Sequence, residues 1–251
     1  MKFSVIIPTF NEEKYIGKTL ESLSKQAFKD FEVIISDIST DETKKVAESF
    51  NDRLNIRVIT PKGKRGVAYQ RNEGAKVANN EILLFIDADV TLRKNALKII
   101  NRSFSRGKYA FVSSASLPDS FLPIDHIAIG VWNVYSAIRG LFKPVFQGAF
   151  FAVKKEAFET VGRFQEDITF AEDFDLSMRL YDAGYRFKKH KRPLFKFSVR
   201  RFDQEGRLKF FFRMSYNGII SILPETWQKK LMWEYELEGY ENGGREDREG
   251  V

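Results

Sequence analysis

Asp87 and Asp89 stand one residue apart, directly after the unbroken apolar run Ile82-Leu83-Leu84-Phe85-Ile86. Two carboxylates that close repel each other unless a cation or a ligand hydroxyl stands between them. Hard oxygen donors of this kind suit Mg²⁺ or Mn²⁺ carrying a diphosphate. The plainer reading is an acidic turn capping the next helix, because Asp is a common turn residue. A second acidic group, Glu172-Asp173-Phe174-Asp175, opens a helical pattern through Leu176, Leu180 and Ala183 that Gly184 ends. Acids in a first turn often do no more than complement the helix dipole. The basic loop Lys62-Gly63-Lys64-Arg65-Gly66 precedes a further helical pattern. It offers cations, backbone N–H groups and a helix dipole to a phosphate.

The elements that must position these groups read as alternating strands and helices. Lys2 to Thr9 is a strand, followed by a helix spacing Ile16, Leu20, Leu23 and Ala27. Phe31 to Asp37 is a second buried strand. Ser39-Thr40-Asp41 offers N-caps to a helix carrying Val46 and Ala47. Ile56 to Thr60 is a third strand, and the helix through Ala68, Arg71, Asn72 and Ala75 leads to the strand at Ile82. Alternation of this kind predicts βαβ units and a parallel sheet. Ligands of such sheets bind outside the carboxyl ends of the strands, which places Asp37 and Asp87 on one crevice edge. Neither Gly-x-Gly-x-x-Gly after the first strand nor a P-loop is present, which argues against a dinucleotide dehydrogenase and a P-loop NTPase.

The second half is less regular. Tyr109 to Ser114 reads as a strand. In 121–146, Ile124, Ile127, Ala128, Val131, Tyr135, Ile138 and Phe142 fit one helical face, while Ile129 and Trp132 lie elsewhere. A helix apolar on more than one face is buried, or it meets lipid or a partner. The apolar run Gln147 to Val153 leads into a short helix, Lys154 to Thr160, ended at Gly162. A basic amphipathic helix is expected over 206–223, and an acidic, disordered tail over 234–251.

The chain has 251 residues, no cysteine and two histidines, so disulfides, thiolate metal sites and histidine-rich metal sites are excluded. No run approaches the ~20 apolar residues that span a bilayer, and the start lacks signal-peptide features. A reducing compartment is compatible with this composition. The net charge of +7 divides unevenly: eight acidic and four basic residues follow from Glu225 onward, leaving +11 for the rest. Arg186 to Arg213 holds eleven Lys/Arg against Asp203 and Glu205. Such a face suits an anionic partner or is simply solvated.

The ordered set of motifs resembles glycosyltransferase family 2, the GT-A fold of inverting nucleotide-sugar transferases. Ser4-Val5-Ile6-Ile7-Pro8-Thr9-Phe10-Asn11-Glu12-Glu13 resembles its opening strand and turn. Ser36-Asp37-Ile38-Ser39-Thr40-Asp41 resembles its Asp-Asp-Gly-Ser-Thr-Asp stretch, with Ser36 for the first Asp and Ile38 for Gly. Gly66-Val67-Ala68 with Arg71-Asn72-Glu73-Gly74-Ala75 resembles the helix flanking the nucleotide. Asp87-Ala88-Asp89 matches Asp-x-Asp, while Gln147-Gly148-Ala149-Phe150 and Glu172-Asp173 resemble the acceptor-side strand and Glu-Asp motif. The Gln-x-x-Arg-Trp motif of processive members is absent, although Arg200-Arg201-Phe202 occupies a similar region.

The resemblance implies an α/β fold with a Rossmann-like, mostly parallel sheet flanked by helices. A GT-A domain is expected over 1–200, with a nucleotide-sugar half (1–115) and an acceptor half (116–200), and a helical extension over 201–233. Pro8, Thr9, Phe10, Glu12, Asp37, Gly66, Arg71, Asp87, Ala88 and Asp89 are expected to bind the nucleotide sugar, with UDP or GDP as its nucleotide. Asp89 and Asp87 are expected to hold Mn²⁺ or Mg²⁺, and Asp173 to act as base, with Glu172 beside it. Gln147, Gly148, Arg200 and Arg201 are expected on the acceptor or phosphate side. The implied acceptor is a saccharide or a lipid-linked group, and no nucleic acid is expected. The implied location is the cytoplasm or the cytoplasmic face of a membrane, with Trp132, Phe211 and Phe212 at an anionic surface. Two alternatives remain: a sugar-1-phosphate nucleotidyltransferase, and a non-enzymatic module for anionic surfaces.

Overall fold

Strand β1 (Phe3–Thr9) is buried along its whole length and takes a parallel neighbour on each side. In the computed structural model, which describes residues 1–63, 66–140, 148–168, 171–207, 209, 210, 212 and 216, those neighbours are β2 (Phe31–Asp37) and β4 (Ile82–Ile86). β3 (Ile56–Ile59) pairs with β2 at the outer edge. Strands buried on both faces lose the polar alternation of half-exposed ones. That is why Ile82 to Ile86 and Val5 to Ile7 read as continuous apolar runs.

The sheet does not stop at β4. It continues as β4-β7-β6-β8-β5, eight strands in all, where β7 is Phe150–Lys154, β6 Phe111–Asp119, β8 Phe187–Ser198 and β5 Val90–Leu92. β4–β7, β7–β6 and β8–β5 are antiparallel, whereas β6–β8 is parallel. The expected parallel sheet is therefore the first half, and the second half is mixed. One sheet joins both halves.

Alternate side chains of the central strands enter two cores. Val5, Ile7, Leu84 and Ile86 meet α1 (Ile16–Ser24) and α4 (Ala96–Ser105) on one face. Ile6, Leu83 and Phe85 meet α3 (Val67–Lys76), α6 (Lys155–Thr160) and α7 (Glu172–Asp182) on the other. Phe85 lies 5.0 Å from Phe151, 5.4 Å from Phe158 and 5.3 Å from Phe164, centroid to centroid. Burying one such ring is worth about 1.5–3 kcal/mol. α3 runs so close to β1 that a Cβ on Gly74 would stand 2.5 Å from Ile6 Cγ2.

Several local expectations are corrected. α2 (Thr43–Glu48) starts at an Glu42 cap that makes no side-chain cap bond, so none of Ser39, Thr40 and Asp41 is its N-cap residue. Asp41 instead accepts the Thr43 N–H at 3.0 Å in a turn. The strand expected to end at Ser114 runs to Asp119 through a register shift. Residues Phe187 to Ser198, read only as a basic face, form the longest strand described. The expected helix over 206–223 lies mostly outside the described residues, as does the tail. α8 (Arg200–Glu205) begins earlier than that helix, directly after β8.

Candidate active site

Parallel register puts Thr9 opposite Asp37 at the carboxyl ends of β1 and β2. The Thr9 hydroxyl donates to Asp37 Oδ1 at 2.7 Å. Ser39 donates to the same oxygen through Oγ at 2.6 Å and through its N–H at 3.2 Å. The turn after β1 is strapped to the turn after β2 by the Asn11 N–H to Ser39 Oγ bond, 2.8 Å. Asn11 adopts a left-handed φ of 54°, a conformation Asn tolerates better than most residues. Gln70, buried on α3, donates to the carbonyls of Thr9 (2.8 Å) and Ser36 (2.7 Å). Asp37 is thus a buried carboxylate fixed by three donors at the strand edge where the sequence places a nucleotide.

Asp87 and Asp89 leave β4 at the same edge, and each is met by an arginine. Arg71, next on α3 after Gln70, is 2% exposed. It donates to Asp87 Oδ1 at 2.9 Å, to Glu172 Oε1 at 2.6 Å and to the Gly148 carbonyl at 3.1 Å. Burial works against its charge, but Asp87, Glu172 and Asp173 outweigh that and hold the guanidinium above its usual range. Arg200, at the start of α8, forks onto both oxygens of Glu12 at 2.6 and 2.5 Å. Its Nε lies 3.4 Å from Asp89 Oδ2, and its plane lies over Tyr15 at 4.4 Å. Pairing of β5 with β8 is what carries Arg200 to Asp89. Burial, then the Asp87 charge, push Asp89 up to about 6; Arg200 opposes this and Glu12 adds to it.

Asp173 stands on the other side of Arg71. Its carboxyl is pushed up to about 7, chiefly by burial and then by the adjacent Glu172 charge, against the pull of Arg71 and of the Phe174 and Gly148 N–H groups. The Phe174 N–H donates to Asp173 Oδ1 at 2.9 Å. Gly148 lies so near that an added Cβ would meet Asp173 Oδ2 at 3.1 Å and Arg71 at 3.4 Å. Ala171, which opens α7, is left-handed at φ 59°. Strain of about 1–3 kcal/mol in a non-glycine residue persists only where its surroundings impose it, and such residues gather at functional sites.

Most of the sequence-predicted residues therefore converge. Pro8, Thr9, Phe10, Asp37, Asp87 and Asp89 share the edge, and Gly66 caps α3 with φ 154°. Four expectations change. Arg71 lies beneath the carboxylates as their shared partner, too deep to be read as a simple ligand contact. Glu172 spends its charge on Arg71, which leaves Asp173 as the acid with a pKa near neutrality. Ala88 is buried in the core, and its carbonyl accepts from Thr19 at 2.5 Å. Glu12 and Arg200, assigned to donor and acceptor sides, are bonded to each other. Arg201 is exposed, and its charge favours ionised Asp89. Gln147, Lys64 and Arg65 lie outside the described residues. The sequence reading missed Gln70 and gave Asn72 no role of its own. Asn72 holds the Phe164 backbone at 3.0 and 3.1 Å. The available signal was the polar run Gln70-Arg71-Asn72-Glu73 between Ala68 and Ala75 on one helix.

The donor set fits a hard divalent cation. Asp87 and Asp89 bring two carboxylates to one edge; Arg71 meets Asp87 and Arg200 meets Asp89, and the Asp87 charge is second only to burial in raising the Asp89 carboxyl. Among the described residues no three carboxylates or histidines converge on one point. Two carboxylates with phosphate oxygens and water filling the remaining positions is the usual Mg²⁺ arrangement.

Known proteins are similar to this chain in sequence and in fold. Poly(ribitol-phosphate) beta-N-acetylglucosaminyltransferase TarS of Staphylococcus aureus is 44% identical over 104 residues, 39% of this chain. The chain spans only 18% of that protein's length. A GalNAc(5)-diNAcBac-PP-undecaprenol beta-1,3-glucosyltransferase of Campylobacter jejuni is 30% identical over 187 residues, covering 72% of this chain and 60% of that one. Among solved structures, the mannosyltransferase PcManGT of Pyrobaculum calidifontis, in complex with GDP-Man and Mn²⁺, superposes with a TM-score of 0.70 at 22% identity, covering 88% of this chain and 62% of its own. TarS residues 1–349 with UDP-GlcNAc give 0.64 at 23% identity, covering 92% and 70%. The fold is therefore GT-A. The family description Glycosyl transferase family 2 matches residues 4–162, so the chain belongs to glycosyl transferase family 2.

Proposed function

We propose that this chain moves a sugar from a nucleotide-diphosphate sugar to an acceptor hydroxyl or lipid phosphate, with inversion at the anomeric carbon. One observation carries the reading: a single buried arginine, Arg71, joins Asp87 on the donor side to Glu172 on the acceptor side, next to Asp173 with its pKa near 7. A carboxylate of that pKa suits general base work at neutral pH. Asp37, held by Thr9 and Ser39, accepts a hydrogen bond from the nucleotide base. Asp89 and Asp87 would hold Mn²⁺ or Mg²⁺, which would supply positive charge to the diphosphate leaving group. Asp173 takes the acceptor's proton as its oxygen attacks the anomeric carbon, and the bond to the diphosphate breaks. One base serves such a displacement, and no protein nucleophile is required.

The relatives support the donor class. TarS binds UDP-GlcNAc and PcManGT binds GDP-Man with Mn²⁺. The undecaprenol-linked acceptor of the Campylobacter enzyme supports a lipid-linked acceptor for this chain.

Thermal shift with UDP, GDP and their sugars, with and without Mn²⁺, tests the reading. A donor at about 100 times its Kd stabilises by ~2.7 kcal/mol. The shift is expected only with metal, and Asp89→Asn should abolish it. An undiminished shift in EDTA would overturn the metal's part.

A further inference from the structure

Helix α5 (Pro123–Arg139) is built inside out. It buries Asp125, Ile129 and Ser136, and leaves Ile124, Ile127, Val131, Val134 and Ile138 between 48% and 65% exposed. The exposed five follow a 3-4-3-4 spacing, which makes one continuous stripe. Phe121, just before the helix, is fully exposed.

Polar contacts pin the inner side. Asp125 accepts from Ser120 at 2.5 Å and pairs with Arg207 at 3.0 Å. The Asn133 amide fills the register break of β6, donating to the Ser116 carbonyl at 2.9 Å and accepting its N–H at 3.2 Å. Lys189 of β8 donates to Ser136. Ile129 meets Val199, Phe202 and Phe210. The helix cannot roll its aliphatic stripe inward without stripping partners from buried Asp125, and an orphaned buried charge is costly.

Charge selects the occupant of the stripe. A helix paired in water with its own copy carries charges beside its apolar seam. Here the flanking residues are Ala128, Gly130, Tyr135 and Ala137. The described chain beside α5 carries cations: Lys189 donates to Ser136, Arg207 pairs with Asp125, and Arg201 and Lys209 are exposed next to Phe202 and Phe210, which meet Ile129. Lys191 and Arg192 are exposed on the strand that supplies Lys189. Two copies brought together at this face would repel, whereas anionic headgroups would be attracted. Trp132 packs against Tyr135 on the same helix, with ring centroids 5.5 Å apart, ring planes tilted by 37° and the indole nitrogen buried.

We propose that the outward face of α5 inserts into the interfacial layer of an anionic bilayer and lays the chain on the membrane surface. Among the described residues no helix is long and apolar enough to cross a membrane, so α5 lies in the interface. The docking does not depend on which acceptor is used.

Vesicle flotation of the full chain tests this, using phosphatidylcholine alone and phosphatidylcholine with phosphatidylglycerol. The chain is expected to float with the anionic vesicles and less so as salt rises. The variant Ile127→Ser/Val131→Ser/Val134→Ser should partition at least about tenfold more weakly. Its melting temperature without lipid and its nucleotide-induced shift should match the parent chain. Four results overturn the proposal: no flotation at any composition at low salt, undiminished flotation of the variant, a dimer that the variant abolishes, or a variant melting several degrees lower without lipid. The third assigns the stripe to a second copy, and the fourth assigns it to the chain's own interior.

Discussion

Helices α3 and α5 both bury polar side chains, Gln70, Arg71 and Asn72 in one and Asp125 and Ser136 in the other. In α3 the partners lie at strand ends: Thr9, Ser36, Asp87, and Glu172 across the site. The buried polar row is therefore part of the proposed site, and the alanines of α3 pack on the sheet beside it. In α5 the partners are Ser116 on β6, Lys189 on β8 and Arg207. There the buried polar groups serve as anchors, and the aliphatic side chains are the ones turned outward. Inward polarity builds a site when its partners converge on a crevice. When its partners are scattered along a support, it displays the opposite face.

The comparison can be broken at α3 first. Arg71→Met leaves Asp87 and Glu172 without their shared cation. Uncompensated buried charge of this kind costs about 3–5 kcal/mol, readable as a lower denaturant midpoint. A loss under about 1 kcal/mol would mean the carboxylates find water instead.

Asp173→Asn probes the next level. It should lower kcat by at least ~10²-fold, the usual contribution of a general base, with donor binding unchanged. The same variant has a pH signature. Below about pH 4 the Asp173 carboxyl is protonated in both folded and unfolded chains. As pH rises toward 7 the unfolded chain ionises first and binds fewer protons, so the unliganded fold loses stability over that window. Asp173→Asn should flatten part of that decline, leaving the part that Asp89 contributes up to about pH 6. Loss of donor affinity without loss of kcat would move Asp173 to the donor side.

The smallest effect is expected at α5. Asp125→Ala frees Ser120 and one side of Arg207, which keeps Asp203 at 2.8 Å. A loss of about 1–3 kcal/mol is expected from chemical denaturation. A loss as large as that of Arg71→Met would show that α5 is as deeply tied to the fold as α3.

The sequence carried the donor half well, because its signals are local. A strand buried on both faces is an apolar run, and Asp37, Asp87 and Asp89 follow such runs directly. Glycines past helix ends were equally legible: Gly162 and Gly184 both take φ of 82°. What stayed hidden is carried by contacts between distant segments. Arg71 reaches Glu172 across 101 residues, and no spacing within α3 distinguishes that from a ligand contact. β8 carries Lys188, Lys189, Lys191 and Arg192, so its composition resembles a solvated face more than a strand. For α5, helical periodicity located the aliphatic stripe but could not say which way it points. That direction is fixed by Asp125, Asn133 and Ser136 finding partners on other elements.

The fork between Glu12 and Arg200 joins residues 188 positions apart. On a ribosome adding about 5–20 residues per second, Glu12 is made roughly 10–40 s before its partner exists. β5 waits in the same way for β8. The parallel strands β1 to β4 can pair during that interval, but the acidic edge they present stays open. A nascent chain interrupted before residue 200 would therefore carry a formed sheet and an unclosed rim, with Glu12 and Asp89 facing water. Closure of the rim is the last step of synthesis to reach the site, and it makes the end of β8 the point at which a folded half becomes a complete pocket.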